Sequence, residues 1–137
     1  YIKRCAVKEG GFAYQPGSGP NNPRTGTGML ALELCGAHGT PEALKGADYL
    51  IGHPPRWSSE YFFYEVYYCS IAAFQIGGKV YQTYYPKLVD LLLEHQEGDG
   101  SWLSGDGNDR SGGRVYCTAM AVLALAVEYQ YLPIYQK

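Results

Sequence analysis

The sequence predicts an all-α protein built from about three helical-hairpin repeats, and three observations carry that prediction. First, Lys87–Trp102 places Leu88, Leu91, Leu92 and Leu93 on a broad apolar face, keeps Asp90, Glu94 and Gln96 polar, and runs into Gly98 and Gly100. That is the pattern of an amphipathic helix closed by glycine, which accepts a left-handed C-terminal cap. Second, Trp102 recurs 45 positions earlier as Trp57, and 45 before that as Phe12, after breaks rich in Gly or Pro. Third, Tyr68-Cys69-Ser70-Ile71-Ala72-Ala73 aligns with Tyr116-Cys117-Thr118-Ala119-Met120-Ala121 at an offset of 48, and Thr27-Gly28-Met29-Leu30-Ala31 fits the same slot 42 before the middle copy. A fixed period in this range is the mark of a repeat architecture.

Each element follows from local signals. Residues 1–8 read as the tail of a helix that began earlier, so a longer parent protein is expected, and localisation is not legible from these residues. Residues 9–23 are dense in Gly, Pro and Asn and form a loop. Arg24–Gly36 is a helix whose small residues Gly26, Gly28 and Ala31 permit close helix contacts. Thr40 is placed as N-cap of the next helix, with Pro41 at its first position and Glu42 in its first turn. That helix reaches about Ile51 and breaks before Pro54-Pro55.

Ser58 or Ser59 is expected to cap the following helix, which ends at Gly77-Gly78. Its aromatic start suits a strand by composition. The apolar run Ser70–Ile76 and the repeat favour helix. Residues 80–96 form the paired helix, and 103–113 a long polar loop. Arg114–Tyr131 is the most hydrophobic helix, stopped by Pro133. Apolar helices are expected inside and amphipathic ones outside.

Through Lys87, Gln96, Gly100, Ser101 and Trp102, the chain resembles the QW-repeat family of squalene–hopene cyclases, related terpene cyclases and protein prenyltransferase β subunits. That motif is a helix carrying a basic residue, then Gln, a short spacer and Gly-X-Trp. The first copy keeps Gly10-Gly11-Phe12, with Ala6 where Gln would stand. The middle copy keeps Lys45 and Trp57 but lacks Gln and Gly-X. The resemblance covers nearly the whole chain. It implies an arc of an α/α toroid, with inner and outer rings of helices around a central cavity. Its exposed end helices would be covered by the rest of the toroid or by a second copy of the chain. Phe12, Trp57, Gln96 and Trp102 need only a structural account: the aromatic packs on the next repeat, and Gln satisfies free backbone groups at a helix end. The functional alternative is an aromatic that stacks on a ligand.

At 137 residues the chain is one domain, 1–137, long enough for a core. A formal charge of −2 gives no basic field for nucleic acid or an anionic membrane. No apolar run of eighteen residues exists, so no membrane span is expected. Among the aromatics 14 are Tyr, against 4 Phe and 2 Trp, which suits a polar-lined cavity or an interface as well as a core. The four cysteines, Cys5, Cys35, Cys69 and Cys117, form no CxxC, and buried free thiols are expected. The histidines lack partners at metal-ligand spacing, so neither a metal nor a cofactor is expected. His95 reads as a group that complements a helix C-terminus.

In a toroid, the loops that enter the inner helices line one mouth of the cavity. Those loops span roughly 13–25, 57–62 and 103–114, and they nominate Arg24, Glu60, Tyr61, Tyr64, Arg114 and Tyr116 as ligand-binding candidates. Asp106, Asp109 and Arg110 are the candidates for acid–base chemistry. Against that role stands a solvated turn in which Asp side chains cap backbone N–H groups. An EF-hand loop from Asp106 would need Glu where Cys117 stands. Tyr61, Tyr64 and Tyr68 share one helical face and, with Tyr116, either line a cavity or pack between repeats.

The family's chemistry does not transfer to these residues. The cyclase Asp-X-Asp-Asp motif is missing, since Asn108 stands third in Asp106-Gly107-Asn108-Asp109. The prenyltransferase Asp-X-Cys pair is missing too, since Tyr67 and Val115 precede Cys69 and Cys117 by two. The first functional reading is therefore a non-catalytic repeat domain that binds a peptide, glycan or lipid, or scaffolds, within a larger protein. The second is part of an isoprenoid-acting cyclase or prenyltransferase whose catalytic residues lie outside this chain. The third is a polysaccharide-active toroid enzyme that uses Asp106, Asp109 and Arg110.

Overall fold

The computed structural model describes residues 1–104 and 108–130. Its helices are α1 (Ile2–Cys5), α2 (Asn22–Leu34), α3 (Pro41–Gly52), α4 (Phe62–Ile76), α5 (Gly78–Glu94) and α6 (Asp109–Leu125), followed by a 3-10 turn, Val127–Tyr129. Among the described residues the only β pairing is two isolated bridges, Ala6 with Phe12 and Ala13 with Pro20. The all-α expectation holds.

Helix α4 sits between α2 and α6, and these three form one row. Helices α3 and α5 form a second layer, α3 against α2 and α5 against α4, and they also touch each other. Phe62, Phe63, Val66, Cys69, Ala72 and Ala73 of α4 are all buried. Small residues bring α2 and α4 together: a Cβ on Gly26 would lie 2.8 Å from the Cys69 backbone nitrogen. A Cβ on Gly28 would lie 2.4 Å from the Phe12 ring, so this glycine makes room for that aromatic.

The two outer copies of the recurring aromatic are anchored alike. Phe12 and Trp102 are both buried. The Phe12 N–H donates to Thr25 Oγ1 at 3.0 Å, and the Trp102 N–H donates to Thr118 Oγ1 at 3.1 Å. Trp102 Nε1 also donates to the Leu92 carbonyl at 2.7 Å, near the end of α5. Trp57 is only half-buried; its ring stacks on His95 with centroids 4.0 Å apart and meets Phe62 and Phe63 edge-on. Gln96 Nε2 donates to the Gly100 carbonyl at 2.8 Å, so the side chain ties off the turn after α5.

Several element ends differ from expectation. Helix α2 starts at Asn22 rather than Arg24, because the Asn21 side chain accepts the Arg24 N–H at 3.0 Å and caps it earlier. Thr40 does stand at the N-cap of α3, but its buried hydroxyl has no partner among the described residues. Neither Ser58 nor Ser59 caps α4; Tyr61 holds the N-cap without a side-chain bond, and the capping carboxylate arrives from Asp109. Helix α5 ends at Glu94, before the glycines, and Gly100 takes its positive φ of 83° in the turn beyond. Helix α6 begins at Asp109, breaks at Gly113 (φ 72°) and ends at Leu125. Tyr131 and Pro133 lie outside the described residues.

Cys5, Cys69 and Cys117 are buried free thiols, while Cys35 is exposed just after α2. On its free side α6 exposes Val115, at 84%, and Val122, at 50%. No helix among the described residues is long and apolar enough to cross a membrane.

Candidate functional site

A cavity of about 370 Å³ opens where the start of α2, the end of α3 and the 56–61 loop converge. Its size falls at the small end of the range for ligand pockets, roughly 300–1,000 Å³. Asn21, Asn22 and Pro23 come from α2 and its cap, Tyr49, Gly52 and His53 from α3. Arg56, Ser59, Glu60 and Tyr61 line the loop side. Glu65, in the first turn of α4, forms the floor and is 1% exposed.

Glu65 is the centre of a hydrogen-bonded clasp. Its Oε1 accepts from Asn22 Nδ2 at 2.8 Å and from the Tyr84 hydroxyl at 2.7 Å. Asn22 Nδ2 also donates to the His53 carbonyl at 2.9 Å. One carboxyl therefore joins α2, α4 and α5, and through Asn22 the end of α3. Burial pushes the Glu65 carboxyl above its ordinary value, against the opposing pull of hydrogen bonds from Asn22, Tyr84 and Ser59; Asp109 adds a smaller upward push. Burial likewise raises the Tyr84 hydroxyl and the neighbouring Cys69 thiol. A buried acid needs such partners, because an unsatisfied one is costly.

The pocket wall is an aromatic platform. The Tyr49 and His53 rings stack 4.0 Å apart at 17°. His53 Nδ1 lies 2.8 Å from the Tyr49 carbonyl. A carbonyl only accepts, so Nδ1 carries the proton, and in the neutral ring Nε2 is left as an acceptor. Burial raises the Tyr49 hydroxyl, with a further push from the nearby Glu65.

The residues nominated from sequence fall into separate environments. Asp109 is buried, and its carboxylate accepts the Phe63 N–H at 2.7 Å. Burial raises its carboxyl, opposed by hydrogen bonds from the Phe63 N–H, the Tyr116 side chain and the Tyr64 N–H. It is a structural cap for α4, which accounts for its burial without chemistry. Asp106 lies outside the described residues. Arg110 is exposed on the first turn of α6.

Glu60 and Tyr61 do reach the pocket. Asn108 grips Glu60 twice, its Nδ2 donating to Oε1 at 2.7 Å and its N–H to the peptide oxygen at 3.2 Å. Tyr64 packs on Tyr68, with ring centroids 4.4 Å apart, and lines a smaller cavity of about 220 Å³ with Arg24. Arg24 sits over the Tyr14 ring, 5.8 Å from its centroid. Arg114 bonds Ser101 Oγ and lies 3.9 Å from Asp99, so it braces the turn before Trp102. Tyr116 turns to Asp109. The nominated set is therefore split among this pocket, a second cavity and two structural braces.

Sequence reasoning missed Glu65, Asn22, Tyr49 and Tyr84. One signal was present: Glu65 is the lone charge between Tyr61 and Ile76, in a run otherwise aromatic and apolar. An acid in such a helix must be buried with partners or be displaced from the core. His95 Nδ1 meets the Leu91 carbonyl at 2.9 Å, at the C-terminal end of α5.

Compared with protein-family models, curated proteins and solved structures, the chain matches none.

Proposed function

We propose that the chain is a non-catalytic repeat domain resembling the squalene cyclase and prenyltransferase toroids, an arc that binds or scaffolds within a larger protein. The observation that carries the binding reading is the state of its acids. Asp109 is consumed in capping α4, and Glu65 in joining three helices. A general acid or base must be able to exchange a proton with a substrate, and both carboxyls are already engaged from within the fold. The matched anchoring of Phe12 and Trp102 on Thr25 and Thr118 supports the repeat. The row of α2, α4 and α6 backed by α3 and α5 supports inner and outer helices. In this reading the exposed Val115 and Val122 of α6 are covered by the rest of the toroid or by a second copy.

The test is an incubation of the chain with squalene, with a prenyl diphosphate plus a cysteine peptide, and with polysaccharides, followed by product analysis. No turnover is expected. Turnover that disappears in Asp109→Asn or Glu65→Gln, with the fold intact, overturns the non-catalytic reading.

A further inference from the structure

We infer that the cavity over Glu65 binds a neutral polyhydroxylated ligand, a sugar residue, laid against the Tyr49–His53 platform and held by Arg56. The inference deepens the binding reading and rests on it.

The groups left over after internal bonding decide the ligand class. Arg56 has neither an ion pair nor a side-chain hydrogen bond among the described residues, although it lines the cavity. The Tyr49 and Tyr61 hydroxyls are also without partners there. Asn21 spends its side-chain oxygen on the Arg24 N–H, and its amino group has no partner among the described residues. His53 Nε2 and the second Glu60 oxygen are acceptors. Donors and acceptors thus share one small opening, with hydroxyls that serve either role.

Charge then excludes the alternatives. A simple anion would meet Arg56 but face two carboxyls, Glu60 and Glu65, in the same cavity. An amine would meet those carboxyls but face the guanidinium. A ligand with closely spaced donors and acceptors and no net charge satisfies both sets. A sugar ring has that chemistry, and its apolar face suits an aromatic platform. The clasp beneath holds Asn22 and Glu65 in place before any ligand arrives, so little ordering is needed on binding. The shared chemistry is a pyranose, whether free or at the end of a longer glycan.

The experiment is a titration of the isotope-labelled chain with glucose, galactose, N-acetylglucosamine and their β-linked oligomers, followed by NMR. Saturable shifts at Gly52, His53 and Ser59 are expected for at least one sugar, with a Kd on the order of a millimolar or tighter. Arg56→Ala, a change at an exposed and unpaired side chain, should weaken binding about tenfold with an unchanged spectrum elsewhere. Tyr61→Phe should give a smaller loss of roughly threefold. An oligomer that binds no better than its monomer marks an end-recognising pocket; one that binds much better marks a site for longer glycan. Shifts at these residues with phosphate or acetate but no sugar overturn the inference in favour of an anion site. No shift with any sugar, or shifts unaffected by Arg56→Ala, also overturns it and leaves the non-catalytic reading standing. A sugar that is bound and cleaved keeps the ligand class and overturns that reading instead.

Discussion

The Asp109 carboxylate accepts the Phe63 N–H at 2.7 Å, so the first turn of α6 caps the first turn of α4 across 46 residues. The first N–H groups of any helix lack intrahelical partners, and a negative charge there also meets the positive end of the helix dipole. Nothing local does this work at α4, whose N-cap Tyr61 makes no side-chain bond. Asp109→Ala should therefore destabilise the fold by roughly 2 kcal/mol, the scale of a lost charge-assisted cap. Asp109→Asn, which keeps one acceptor oxygen, should cost less. Urea unfolding followed by circular dichroism reads both; equal midpoints for wild type and Asp109→Ala would show that the contact carries no stability.

Glu65 gives a pH dependence with a definite sign. Burial holds its carboxyl above the ordinary value, so the folded chain binds this proton more tightly than the unfolded chain does. The stability so gained is complete below the unfolded pKa, about 4, and is lost as pH rises through the raised folded value. Asp109 shifts in the same direction, also through burial. Glu65→Gln keeps an acceptor for Asn22 and Tyr84 and removes the titration. Its stability should fall less between pH 4 and 7 than that of the wild type. Asp99, held low by Ser101, is present in both proteins and cancels from the comparison. Parallel curves would show that Glu65 is not the source of the slope.

Helix positions were legible because hydrophobic pattern and glycine or proline breaks are local signals, whereas the partners that finish the helix ends come from elsewhere. Ser59 has the right chemistry to cap α4 but is engaged with Glu65 instead. The Tyr85 hydroxyl reaches the carbonyls of Ala124 and Leu125 at 3.2 Å, near the end of α6, from a different hairpin. Tertiary caps of this kind leave no periodic trace in sequence. The pocket was half legible for the same reason. Glu60 and Tyr61 lie in a loop, where function is sought first. Tyr49 and Glu65 are helical, and only the packing of α3 and α4 against α2 turns them into a lining.

Thiol reactivity should separate the four cysteines. Cys35 is exposed, and Cys5, Cys69 and Cys117 are buried. Burial also raises the Cys69 and Cys117 thiols, which reduces the thiolate that reacts. A chromogenic disulfide reagent should modify one thiol rapidly in the native chain and all four in denaturant. Cys35→Ser should abolish the fast phase. A second fast thiol would mean that one of the buried positions opens on the timescale of the assay.

Gly26 sets the distance between α2 and α4, and two opposed effects decide what happens when it is replaced. Alanine is the better helix former by about 1 kcal/mol, so Gly26→Ala should stabilise α2 in isolation. In the fold, the new methyl would stand 2.6 Å from Cys69 Sγ and 2.8 Å from the Cys69 nitrogen. Backbone cannot rotate away, so the helices must separate, and overpacking of this kind costs about 1–3 kcal/mol. The second effect wins, and a net loss of roughly 1–2 kcal/mol is expected. Gly52, at the end of α3, is the control, since a Cβ there meets nothing within 4 Å. Gly52→Ala should leave stability unchanged or raise it slightly. Thermal unfolding of both variants checks the pair. A Gly26→Ala protein as stable as Gly52→Ala would mean that α2 and α4 tolerate a wider spacing, and that their close approach is not what fixes the row.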